Sequence, residues 1–373
     1  MKFSIKKNII LEQLINVNRA ISPKNIIPIL NGIKFELDEL GLHLTASDSD
    51  LTIKALIKPE DIESVDKEGS IVIQSKYIID IVKSMPGEII NFEVVDGASI
   101  IIYSNDTKYN LNCLNSNDYP QIQLEEAEKS IKIKGDELKL MIKQTIFAVS
   151  TQESRPLLTG VNININGNVL EFITTDSYRL AKKTLILEEN FTDSINIVVP
   201  GRNMNELDKI INDNSIVEIS VFTNKILFKI DNILLFQSNL LNGQYPNTSN
   251  FIPKEFKYII NTNLNKFFAS IDRAALLTQS KERNIVKMEA IDNKLCISSM
   301  SSEIGKVEDY VDVERNNDEK IVISFSAKYM IDALRTMEND EITIFMNSDS
   351  SPIVIKSDKD ESLIQLILPI KTY

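Results

Sequence analysis

The sequence predicts an α+β protein with antiparallel sheets, built from three similar domains in a row. Three observations carry that prediction. KYIIDIVKSM at 76–85 returns as KYMIDALRTM at 328–337, with five of ten residues identical and the rest exchanged like for like. Halving that spacing of 252 residues lands on RNMNELDKII at 202–211, where Arg202, Glu206 and Lys209 fall on Lys76, Asp80 and Lys83. PILNGI (28–33) recurs as PLLTGV (156–161), Arg19-Ala20 as Arg273-Ala274, and Tyr119-Pro120 as Tyr245-Pro246. The period is close to 126 residues, and three periods nearly fill the chain of 373. A unit that long, far beyond the roughly 20–50 residues of a solenoid repeat, can hold a core of its own. The domains expected are 1–122, 123–250 and 251–373, with QLEEAEK (123–129) and IPKEFK (252–257) as connecting or opening segments.

Each domain reads as two halves. In the first repeat, NIILEQLINVNRAI (8–21) spaces its apolar residues at helical intervals. Strand-like runs follow: ILNGIKFEL (29–37), LHLTAS (42–47) and LTIKALI (51–57). SIVIQ (70–74) then leads into a helix at 75–85, followed by INFEVV, ASIIIYS and YNLNCL. Turn residues such as Asp96-Gly97 and Asn105-Asp106 separate these runs. Each half is thus one strand, one helix and three strands, and six such units make the chain.

Composition sets the class. Hydrophobic residues make up 43%, enough for packed cores, and charged residues 25%, as in an ordinary soluble chain. The opening MKFSIKKNII has lysines without an apolar stretch behind them, so neither secretion nor membrane insertion is expected. Cys113 and Cys296 are too few for a disulfide framework and suit a reducing cytoplasm. The formal net charge of -12, taken alone, argues against a nucleic-acid partner.

The repeated helix answers that objection in part. Ile78, Ile79, Ile81, Val82 and Met85 cover one face that must pack on a sheet. Lys76 and Lys83 stand in line on the other side, and the same pair recurs as Arg202/Lys209 and Lys328/Arg335. A solvated face with i, i+4 ion pairs to Asp80, Glu206 and Asp332 is the plainer reading of any one helix. Three equivalent helices can instead line one shared surface. Exposed charges are largely screened beyond about 8 Å at physiological salt, so an acidic rim does not cancel a basic wall. Such a sparse wall is too weak for tight binding through phosphate contacts. Encirclement needs no tight contact.

Enzymatic readings find little support. His43 is the sole histidine and reads as a strand surface residue. Metal-ligand spacings are absent, and no cofactor is implied. Asp48-Ser49-Asp50 opens like a calcium loop, but Thr52 and Ile53 stand where an acidic or amide residue and a glycine are required. Gly305-Lys306 is no phosphate loop, since Met300 replaces its first glycine and Val307 its hydroxyl residue.

The whole chain resembles the family of the bacterial DNA polymerase III beta subunit, the sliding clamps. The carriers are MKF with PIL at 28–30, SRPLLTGV (154–161), TTDSYRLA (174–181), NGQYP (242–246) and the terminal LPIKTY. The resemblance implies a DNA clamp fold of three like domains per chain. Two chains would join head to tail into a ring around duplex DNA, with helices inside and sheets outside. It implies a non-catalytic processivity factor whose partners are the polymerase alpha subunit, clamp-loader subunits, and other polymerases and repair proteins. It places a partner-peptide pocket at Leu158, Thr175, Arg179, Leu180, Pro246, Ser350, Pro352, Leu366, Leu368, Pro369 and Ile370. The middle repeat has TDSYRLA where the others have SDSDLTI and MSSEIGK, which supports an asymmetric site there. Ser177-Tyr178 and Asn250 depart from the residues expected in some members. The DNA-facing positions implied are Lys24, Gln152, Arg155 and the three basic pairs. The dimer interface implied sets Tyr109 and Leu111 against Leu276 and Leu277 of a second copy. A repeat-built scaffold that binds proteins alone is the other reading, and the basic row favours the clamp.

Overall fold

The structure is a computed structural model that describes residues 1–122, 124, 130–278, 284–357 and 359–371. The expected connecting segment 123–129, apart from Leu124, and the terminal Thr372 and Tyr373 lie outside the described residues.

The repeat is visible in the helices. α1 (Lys7–Asn18), α3 (Gly135–Thr145) and α5 (Leu264–Ala275) open the first half of each repeat. α2 (Ser75–Ser84), α4 (Gly201–Asp208) and α6 (Ala327–Leu334) open the second halves and start 126 residues apart. In α2, Ile78, Ile81 and Val82 are buried while Lys76 and Lys83 are exposed, as the apolar spacing requires. Burying each of these aliphatic side chains stabilises by about 1.5–3 kcal/mol.

The chain packs as two compact units, Met1–Glu137 with Glu206–Leu240, and Leu138–Asn205 with Leu241–Tyr373. All strand pairings described are antiparallel. In the first unit a five-stranded sheet runs Ile62–Lys67, Lys2–Lys6, Ile89–Val95, Ser99–Ser104, Thr107–Asn112. Its eight-stranded sheet starts with Ile131–Lys134, Ile216–Val221, Lys225–Ile230 and Leu234–Asn239. It continues through Leu51–Ile57, Gly41–Ser47, Gly32–Asp38 and Gly69–Gln74. In the second unit a seven-stranded sheet starts with Gly160–Thr175, Arg179–Pro200, Asp360–Ile367 and Ile353–Ser357, and ends with Glu341–Met346, Tyr258–Asn263 and Glu314–Arg315. A four-stranded sheet runs Gly305–Asp312, Lys294–Ser301, Ile285–Ile291, Ile321–Ser326.

Two repeat boundaries are crossed inside these sheets. Leu234–Ser238 pairs with Leu51–Ala55, and Arg179–Lys183 pairs with Leu363–Ile367. The halves of the middle repeat therefore belong to different units. Continuous backbone hydrogen bonding cancels a sheet edge at each crossing.

The glycine shared by PILNGI and PLLTGV has a steric cause. Pro28–Asn31 and Pro156–Thr159 both form a 3-10 turn before a strand. A Cβ on Gly32 would lie 2.5 Å from Val72 Cγ1, and one on Gly160 would lie 2.5 Å from Val198 Cγ1. Only glycine admits that close approach.

Several expectations are corrected. α1 ends at Asn18 rather than 21, because Arg19 and Ala20 turn back onto Asn16 and Val17 carbonyls. Residues 29–31 belong to the 3-10 turn and not to the following strand. An additional strand, Ile62–Lys67, flanks the first. The middle repeat runs its first-half strands, with the strand that opens its second half, together into stretches of 16 and 22 residues. His43 is buried at 9% exposure, with Nε2 3.4 Å from Asp38 Oδ1. Burial, then Lys54, lowers its pKa against the opposing pull of Asp38. Finally, Arg273-Ala274 does not occupy the place of Arg19-Ala20. The buried Ile10, Leu14 and Val17 of α1 correspond to Phe267, Ile271 and Ala274 of α5, which puts Leu276 in the place of Arg19.

Candidate functional site

The second unit contains a cavity of about 550 Å³, and its lining is mostly apolar. Leu180 and Leu366 are opposite partners on adjacent strands, and Val354 pairs with Leu366 from the other side. With Ile173 they form a buried cluster beneath the cavity. Leu158, Thr175, Arg179, Pro246, Pro352 and Leu368, also expected from the sequence, line it with Leu180 and Leu366. Ser177, Asn250, Phe251 and Pro253 also line it. Phe251 and Pro253 escaped the sequence reading, because a loop without periodicity gives no sign of the direction its side chains take.

The structure does not bring every expected residue to this cavity. Ser350 and Ile370 line a separate, more polar cavity of about 410 Å³ with Lys287, Ser324, Asp349 and Lys371. Pro369 is not among the lining residues of either. The last strand stops at Ile367, and two hydrogen bonds then fix the chain. Leu368 N–H donates to Tyr178 O at 2.8 Å, and Ile370 N–H donates to Ser324 O at 2.7 Å.

TDSYRLA is a turn with a mechanism. Asp176 Oδ1 accepts the N–H groups of Tyr178 (2.9 Å) and Arg179 (3.0 Å), and Ser177 sits at φ 79°. In SDSDLTI the same device recurs: Asp48 Oδ1 accepts from Asp50 and Leu51, and Ser49 sits at φ 78°. The calcium-like spelling is therefore a side-chain-capped turn. What the middle repeat adds is Arg179. Its guanidinium is 3.0 Å from Asp176 Oδ2 through Nε and 2.8 Å from Asp332 Oδ2 through Nη1. It also lies over Tyr329, 4.5 Å from the ring centre. A charge at 8% exposure is tolerated because two carboxylates and a ring face replace its water.

The expected DNA-facing residues are exposed throughout: Lys24, Lys76, Lys83, Gln152, Arg155, Arg202, Lys209, Lys328 and Arg335 all face solvent. Two of the acidic residues on these helices reach cations other than the expected i, i+4 ones. Glu206 accepts from Arg19 Nη1 at 3.1 Å and Lys209 Nζ at 2.7 Å, and Asp332 takes Arg179. Burial alone would raise the Glu206 pKa, but hydrogen bonds from Lys209 and Arg19 outweigh it and hold it below the usual range.

At the expected interface, Tyr109 (36% exposed) and Leu111 lie on Thr107–Asn112, an edge strand. Leu276, 61% exposed, and the half-buried Leu277 follow α5. Among the described residues, no metal-binding cluster and no helix capable of crossing a membrane occurs.

Comparison with known proteins agrees along the full length. Sequence profiles of the DNA polymerase III beta subunit match three times in succession: its N-terminal domain at 1–123, central domain at 132–247 and C-terminal domain at 249–371. The chain is 40% identical over 379 residues to the beta sliding clamp of Bacillus subtilis (strain 168), and 37% identical to that of Staphylococcus aureus (strain N315). Both alignments cover 100% of each chain. The crystal structure of the DNA polymerase sliding clamp from Bacillus subtilis superimposes with a TM-score of 0.96 at 40% identity. That of the DNA polymerase III beta chain from Streptococcus pneumoniae TIGR4 gives 0.95 at 34%, and each covers 100% of both chains.

Proposed function

This chain belongs to the family of the DNA polymerase III beta subunit, the beta sliding clamps, and from that premise we propose how its own residues close a ring, face DNA and hold partners. It is a DNA sliding clamp, a non-catalytic processivity factor that forms a dimer and works with DNA and the polymerase.

One observation carries the ring. Both repeat junctions inside the chain use the same pairing, the last strand of one repeat's second half against the third strand after the helix in the neighbouring repeat's first half. A third pair of equivalent strands is left over. Thr107–Asn112 and Gly305–Asp312 are each the edge strand of a sheet. Unpaired edges are liabilities unless covered, and a second copy placed head to tail covers both with the pairing already used twice. Carrying over the register sets Lys108 opposite Glu308 and Tyr109 opposite Val307 of the partner. The exposed Leu276 stands where Arg19 stands at the first junction.

The exposed basic pairs on α2, α4 and α6, with Lys24, Gln152 and Arg155, supply the DNA-facing surface. They are too few for tight binding and suited to a duplex held by topology. The cavity at Leu180, Leu366 and Leu368 takes a short apolar peptide of the polymerase alpha subunit, of clamp-loader subunits, and of other polymerases and repair proteins. Ser350, Pro369 and Ile370 belong to its surroundings and not to its lining.

The test is topological. Loaded by the ATP-driven loader onto nicked circular DNA, the protein stays bound through gel filtration at moderate salt. One restriction cut releases it within the time of the column. Equal loss from circular and linear DNA would overturn the ring.

A further inference from the structure

We propose that Asp332 is the positioning residue of the partner cavity, an acid common to all three repeats that only the middle junction turns to this use. The proposal rests on the cavity being the partner site.

Asp80, Glu206 and Asp332 are each the sixth residue of their helices, α2, α4 and α6. At the two junctions inside the chain, this acid reaches an arginine from the neighbouring repeat. Glu206 takes Arg19 at 3.1 Å, and Asp332 takes Arg179 at 2.8 Å. The two arginines do not come from equivalent places. α1 and α3 start 128 residues apart, as do PILNGI and PLLTGV, and by that spacing Arg19 corresponds to Phe147 and Leu51 to Arg179. In the middle repeat the helix-end arginine is thus replaced by a phenylalanine, and the arginine comes from the start of a strand. Its guanidinium lies 5.3 Å from the Phe147 ring centre, next to the position its counterpart would have used.

That relocation puts the arginine in the wall of the cavity, whereas Arg19 is not among the residues that line it. An arginine has several rotatable bonds, so its place depends on what its nitrogens hold. Asp176 fixes Nε from within the turn, and Asp332 fixes Nη1 from α6. Arg335 does not compete for this carboxylate as Lys209 does for Glu206, because its guanidinium lies over Phe268 at 5.8 Å. Asp332 therefore sets how far the Arg179 side chain reaches along the cavity while touching no peptide itself.

The experiment compares Asp332→Asn, Glu206→Gln, Arg179→Ala and the Asp332→Asn/Arg179→Ala double variant in the full-length dimer. Affinity is measured for the DNA polymerase III alpha subunit, and melting temperature alongside it. Asp332→Asn should weaken the alpha subunit by about tenfold, the scale of one lost charge pair at an interface. Glu206→Gln removes the twin pair, whose residues do not line this cavity, so it should lower the melting temperature comparably and leave affinity unchanged. In the Arg179→Ala background, Asp332→Asn should have no further effect on affinity, because its partner is gone. Equal weakening by Glu206→Gln and Asp332→Asn, or undiminished weakening in the Arg179→Ala background, would overturn the assignment. Wild-type affinity that Leu368→Ala leaves unchanged would instead overturn the cavity as partner site.

Discussion

Leu180 and Leu368 face one cavity from very different burial, 2% and 38% exposed. That difference separates stability from binding. Leu180 lies in the cluster with Ile173, Val354 and Leu366, so Leu180→Ala should cost about 2–5 kcal/mol of stability as well as affinity. Leu368 reaches the cavity from beyond the last strand. Leu368→Ala should change stability by about 1 kcal/mol or less while weakening the alpha subunit several-fold. Thermal unfolding beside titration of the alpha subunit checks both, and a Leu368→Ala variant with full affinity would move the partner site elsewhere. The same scale explains why TDSYRLA differs from SDSDLTI. The turn is shared down to the left-handed serine, and only the side chain at 179 makes it a site.

Elements decide where the chain ends its own sheets. Thr107–Asn112 is an edge with mostly exposed residues, and Gly305–Asp312 is the edge of the four-stranded sheet. Lys108 and Glu308 oppose each other in the proposed register, which favours the intended partner over random edge pairing. Leu276 and Leu277 come just after α5, where a carboxylate would be desolvated on closure. Replacing both with Asp should give a folded monomer of 42.2 kDa by analytical ultracentrifugation, with its melting transition retained. A double variant that still sediments as a dimer would place the contact elsewhere.

For the whole molecule, the acidic balance and the exposed basic row act at different distances. The net charge of -12 slows approach to DNA, while the row acts only within a screening length of about 8 Å. A ring retained by topology uses its cations mainly while DNA is being placed inside it. Changing Lys76, Lys83, Arg202, Lys209, Lys328 and Arg335 to Ala should therefore reduce loading far more than residence on a nicked circle. Loading rate and release half-life measured on the same circle decide it. Proportional loss of both would mean that contacts, rather than closure, hold the DNA.

The sequence by itself determined the threefold repeat, the helix and strand types, and the motifs that identify the family. These depend on period and spacing, which one chain carries in full: helices starting at 75, 201 and 327 repeat their buried and exposed faces because the apolar residues do. Tertiary structure decided what period cannot encode. Strand pairing across repeat boundaries split the middle repeat between two units, since hydrogen bonding joins strands that lie far apart in sequence. Glu206 and Asp332 hold arginines 187 and 153 residues away, beside the local Lys209 at Glu206, and no local spacing announces either arginine. Phe251 and Pro253 reached the cavity through a loop whose course no local pattern specifies. A three-residue slip put Leu276 in the place of Arg19, because buried side chains, rather than a matching dipeptide, fix how a helix is seated.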